Sequence, residues 1–115
     1  MRPGGGEAEW EGAPRPGADP FTRFPHRMID HLLPRVTPAE WKIISVIARE
    51  TYGWNRTEAP LSLRELARRT HLSKAGVEKA LAALRERRVV VAEPRWDVGT
   101  GATTATLYRF RFDDE

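Results

Sequence analysis

Residues 62–88 read SLRELARRTHLSKAGVEKALAALRERR, and their spacing decides the fold. Ser62-Leu63-Arg64-Glu65 has the form of a capping box. In that motif a Ser hydroxyl and a Glu carboxylate three residues later each accept from the other's backbone N–H. The box opens a helix that turns Leu63, Leu66 and Ala67 inward. Thr70-His71-Leu72-Ser73 interrupts it. Ser73 caps a second helix, and Val77, Ala80, Leu81 and Leu84 recur along it at i, i+3, i+4 and i+7. That spacing makes one apolar stripe. Two capped helices joined by about four residues form a helix-turn-helix.

Working downstream, the period changes. Val89-Val90-Val91-Ala92 is a β-type run, and Asp97-Val98-Gly99-Thr100-Gly101 is turn material. Thr106, Tyr108, Phe110 and Phe112 then alternate with Leu107, Arg109 and Arg111, which is the period of a strand. Upstream, Thr37-Pro38-Ala39-Glu40 starts a central helix with a second capping box. Trp41, Ile43, Ile44, Val46, Ile47 and Ala48 supply its apolar surface, and Gly53 is its expected terminator. Phe21 to Pro25 reads as an extended lead-in to a short helix over His26–Leu33 that Pro34 ends. The expected fold is mainly α with a small two-stranded β-hairpin, a winged helix-turn-helix. Trp41, Tyr108, Phe110 and Phe112 are assigned to inward faces rather than to base stacking.

The chain has 115 residues, which suits one domain. It has no cysteine, which excludes disulfides, Cys-ligated zinc and thiol catalysis. No apolar run reaches the roughly 18 residues of a membrane span, and no apolar leader is visible, so the expected location is cytoplasmic. The net charge of +3 is unevenly spread. Residues 1–20 form an acidic arm holding 5 of the 9 Gly and 4 of the 9 Pro, with Trp10 its one aromatic, and are expected to be disordered. Residues 21–112, the expected DNA-binding domain, carry 17 Lys and Arg against 9 Asp and Glu, a formal +8. Residues 113–115 are an acidic tail.

With Val77, Ala80, Leu81 and Leu84 turned inward, the last helix presents Ala75, Lys79, Ala82 and Glu86, flanked by Glu78 and Ala83. Side chains this small let a helix sink into the major groove. There Lys79 can donate to guanine, Ala75 can touch a thymine methyl, and Glu78 can accept from cytosine. The plain alternative is a solvated face of good helix formers. Ser73 and Lys74 sit at a helix N-terminus, where backbone N–H groups favour phosphate. Gly76 either lets the backbone approach a phosphate or relieves crowding in the turn. Arg64, Arg68 and Arg69 lie off the apolar stripe of the preceding helix and are phosphate candidates, with a solvated face as the alternative. Arg85, Arg87 and Arg88 suit the end of a helix with or without DNA. Arg95, Arg109 and Arg111 are assigned to the wing, with Gly99-Thr100-Gly101 as its tip and Trp96 beside it. His26, His31 and His71 are too scattered for a metal site, no catalytic constellation stands out, and no cofactor or small-molecule substrate is expected.

The stretches FTRFPHRMIDHLL (21–33), TPAEWKIISVIARETYGWNR (37–56) and LSLRELARRTHLSKAGVEKALAALRERRVV (61–90) resemble the N-terminal DNA-binding domain of phage replication protein O. The segment Arg49-Glu50-Thr51-Tyr52-Gly53-Trp54-Asn55 is the more telling part. The resemblance implies recognition of repeated sequences at a replication origin, while a separate C-terminal region engages the helicase machinery. No such region is expected in a chain ending at Glu115. Arg88 stands where such domains often have Gly, so either it is left-handed or the helix ends differently. Duplex DNA is therefore the expected partner, with a homodimer left open and no membrane partner. A small repressor that occludes an operator, and a protein-interaction adaptor on the same scaffold, are the competing readings. Neutralising roughly five phosphates would give a log–log salt slope near −4 to −5.

Overall fold

In the computed structural model, residues 12–15, 17–95, 99–100 and 105–114 are described. Trp10, Trp96 and Gly101 lie outside them, as do Glu115 and the first eleven residues of the arm.

Helix α1 (Pro38–Thr51) begins as its sequence dictates. Glu40 N–H donates to Thr37 Oγ1 at 3.1 Å, and Thr37 N–H donates to Glu40 Oε1 at 3.0 Å. The helix buries Ile43, Ile44, Ile47 and Ala48 completely. Its C-cap, Tyr52, directly precedes the expected terminator Gly53, but Gly53 is not the left-handed residue. The α-helix stops at Thr51, one 3-10 turn follows over Tyr52–Trp54, and Asn55 takes the left-handed conformation at φ 56°. Asn tolerates that region through its short polar side chain. Gly53 instead supplies room, because a Cβ there would lie 2.9 Å from both Arg49 Nη1 and Thr22 Oγ1.

Before α1, His26 and Arg27 lead into a π-type turn, Met28–Leu32, and then a 3-10 turn, Leu33–Arg35. Pro34 does not end the helical segment. It sits in the first turn of the 3-10 piece, where a missing N–H breaks no bond. Met28 enters the core, and Phe24 packs against Trp41 with ring centroids 5.9 Å apart.

Helices α2 (Leu63–Thr70) and α3 (Lys74–Glu86) follow, joined by His71-Leu72-Ser73. Val77, Ala80, Leu81 and Leu84 are buried, as their spacing requires. The end of α3 is a Schellman turn: Arg88 is left-handed at φ 62°, its N–H donates to Arg85 O at 3.0 Å, and Val89 N–H donates to Leu84 O at 2.9 Å.

The expected two-stranded hairpin is instead a three-stranded antiparallel sheet, so the architecture is mixed α/β rather than mainly α. Strands β1 (Glu58–Leu61), β2 (Val90–Glu93) and β3 (Thr106–Phe110) lie in the order β1-β3-β2. Ala59 faces Tyr108 across one ladder, and Val90 faces Phe110 across the other. Pro60 disguises β1 in sequence, and the strand accordingly lies at an edge. The inner face of the sheet sends Ala59, Leu61, Val90, Tyr108 and Phe110 toward the helices. Phe112 departs from its expected inward place. The chain turns into a 3-10 segment, Arg111–Asp114, which breaks the strand period and leaves Phe112 42% exposed while stacked on Phe110 at 5.4 Å. Asp113, expected in a detached tail, accepts a 2.9 Å hydrogen bond from Tyr52 Oη.

Candidate nucleic-acid interface

The α2–α3 unit is held by its own caps and by ties to α1. Glu65 N–H donates to Ser62 Oγ at 3.0 Å, giving half of the expected capping box; the Glu65 carboxylate pairs with Arg68 at 2.7 Å instead. His71 turns the chain at φ 60°, and Leu72 N–H donates to Thr70 Oγ1 at 3.3 Å. Lys42 Nζ of α1 donates to Thr70 O at 3.3 Å, and Arg69 Nη1 pairs with Glu50 of α1 at 2.8 Å. Arg87 closes the far end. It donates to Glu40 Oε1 at 3.3 Å and to Arg35 O at 2.8 Å, so the end of α3 is strapped to the start of α1.

On this frame Ala75, Glu78, Lys79, Ala82 and Glu86 are all exposed along one side of α3. Lys74 and Lys79 form no ion pair with a described residue, and neither does Arg64. Arg64, Arg68 and Lys74 line one concavity of about 650 Å³ with Leu63 and Ala67. Three of the sequence-derived phosphate candidates are thus brought together beside the first turn of α3.

Other candidates are placed elsewhere. Arg69 is half-buried against Glu50, its guanidinium committed to holding α2 on α1. Gly76 gives its N–H to Ser73 Oγ at 3.0 Å, and a Cβ on it would meet that oxygen at 3.2 Å. Its missing Cβ leaves room within the cap. Ser73 Oγ accepts that bond, leaving the hydroxyl proton for another acceptor. Arg109 is half-buried in the central strand and pairs with Glu93. Arg111 lies past the end of β3, the end remote from the 94–105 connection. Arg95 is exposed where that connection leaves β2. Arg85, which sequence left undecided, lines a concavity of about 330 Å³ between α3 and the sheet with Glu78 and Pro94. Its charge partly offsets the burial that pushes the Tyr108 phenol up.

A family model for bacteriophage replication protein O matches residues 17–103. The chain belongs to that family. The replication protein O match takes in α1, β1, α2, α3 and β2 and stops short of β3. No curated protein and no solved structure matches the chain. Among the described residues, no helix of this replication protein O member is long and apolar enough to cross a membrane.

Proposed function

We propose that this chain is a DNA-binding module, not an enzyme, that reads duplex sequence at a phage replication origin. Its scaffold in this reading is a winged helix-turn-helix, with α3 as reading helix and the β2–β3 connection as wing. The observation that carries it is the exposed Ala75–Lys79–Ala82 side of α3 next to the concavity of Arg64, Arg68 and Lys74. Family membership supports the replication role.

A helix with alanines outward fits a major groove about 12 Å wide without side chains holding it off the bases. Lys79 then donates to guanine O6 or N7, Ala75 meets a thymine methyl, and Glu78 accepts from cytosine N4. Arg64, Arg68 and Lys74 fix the register on the phosphate backbone, with the Ser73 hydroxyl as a further donor. Arg95 meets the backbone from the wing. These groups orient and desolvate the contact, and no bond is made or broken.

Selection of bound sequences from a random duplex pool tests this reading. The expected winner is a site that recurs in tandem and is preferred over unrelated duplex. Absence of duplex binding at low salt overturns the proposal, and a palindrome overlapping a promoter moves the role from replication to repression.

A further inference from the structure

The C-terminal end of α3 borders a groove of about 620 Å³ that the proposed DNA reading does not use. Its floor is apolar: Pro25, Met28, Leu32, Val89 and Phe112. Its rim is basic, with Arg27, His31, Arg35, Arg88 and Arg111 against one acid, Asp113. Arg27, Arg35 and Arg88 form no ion pair with a described residue. The 13 residues of α3 put about 20 Å between Lys74 and this end of the helix. The groove is therefore a separate surface, and its chemistry asks for a large apolar group flanked by carboxylates.

Three occupants can be weighed. A duplex offers phosphates and nothing to fill the apolar floor. A second copy meeting this face across a two-fold axis would set the same arginines against each other. Residues 7–11, Glu-Ala-Glu-Trp-Glu, offer one indole among three carboxylates. Their chemistry matches the groove on both counts, an apolar group for its floor and carboxylates for the cations of its rim. They precede a turn in which Ala18 N–H donates to Arg15 O at 2.9 Å and Arg15 pairs with Asp19 at 3.2 Å, and the four steps from Glu11 to Arg15 add a reach of up to about 13 Å beyond that turn.

We propose that this groove seats Trp10 of the same chain, with Glu7, Glu9 and Glu11 facing the arginines of its rim. The tether makes the contact intramolecular, with an effective concentration on the order of millimolar. A partner segment of the same chemistry competes for the same place.

The test uses backbone amide spectra of the full chain. Trp10→Ala is expected to shift the amides of Met28, Leu32 and Val89 and to leave those of Ala75 and Lys79 in place. Replacing Glu7, Glu9 and Glu11 by Gln is expected to move the same groove amides in the same direction. A synthetic peptide of residues 5–13, added to the Trp10→Ala chain, is expected to return them, and to fail when Arg35→Glu is also present. Neither arm substitution touches the core, which begins at Met28, so loss of fold does not mimic the result. Groove amides that ignore Trp10→Ala overturn the proposal. Shifts confined to α3 overturn it too, by placing the arm on the reading helix. Shifts that change on dilution overturn the intramolecular contact in favour of a second copy.

Discussion

Removing Arg64 and Arg68 together should flatten the salt dependence of DNA binding, and the structure sets the size of the change. Of the cations that sequence assigns to phosphate or to the wing, Arg69 is committed to Glu50 at 2.8 Å, Arg109 pairs with Glu93, and Arg111 lies past the end of β3 remote from the 94–105 connection. Arg64, Arg68, Lys74 and Arg95 remain, all exposed. Each phosphate neutralised contributes about −0.9 to the log–log slope, so the slope is about −3.6, and affinity falls about 150-fold between 50 and 200 mM salt. Without Arg64 and Arg68 the slope becomes about −1.8 and the same step costs about 12-fold. The Arg68–Glu65 pair does not stand in the way, because an exposed ion pair of this kind is worth about 1 kcal/mol or less. Arg69→Ala is the internal control. It should leave the slope alone and lower folding stability by about 1–2 kcal/mol, because it removes a charged hydrogen bond between helices. Fluorescence anisotropy of a labelled cognate duplex across a salt series reads the slope, and urea denaturation reads the stability. A double variant with the parent slope, or an Arg69→Ala slope as flat as the double variant's, refutes the placement of α2 against the backbone.

Lys79→Ala should cost about 1–3 kcal/mol on the selected site and relax preference at one base pair; equal weakening on every sequence would mean a phosphate contact only. Arg88→Gly should raise stability by about 0.5–1 kcal/mol, since the left-handed turn at φ 62° is strained for any residue with a Cβ, and a lower melting temperature would contradict the Schellman assignment. Leu84→Ala should lower it by about 2–5 kcal/mol, read by thermal unfolding, because Leu84 is fully buried beneath α3. The fold favours the neutral Tyr52 phenol, through burial and the Asp113 carboxylate beside it, and so raises its pKa. That contribution is complete below pH about 10 and is lost as pH rises past it. Tyr52→Phe should therefore flatten the decline of stability measured by denaturation between neutral and strongly alkaline pH.

Local signals carried much of this fold. The Thr37 capping box and the buried stripe of α3 depend on contacts within four residues, which spacing alone specifies. Features settled by distant partners were not legible. Strand β1 has four residues, one of them Pro60, and exists because β3 lies beside it, 45 or more residues along the chain. Glu65 fits a capping box by position, yet its carboxylate goes to Arg68, a competition that the pattern does not resolve. The left-handed ends at Asn55, His71 and Arg88 use residues other than glycine, so glycine positions alone do not mark them. At the candidate interface, the outward side of α3 followed from helix periodicity. The sorting of the arginines did not, because Arg69 and Arg87 find their partners 19 and 47 residues away, across packed helices.

Strand β1 has one further consequence. As an outer strand it carries unpaired main-chain groups that other chains could zip onto, the first step of filament growth. Pro60 stands in the middle of those four residues and offers no N–H for such a ladder. The residue that hides the strand in the sequence thus also guards the border of the sheet against growth by strand addition.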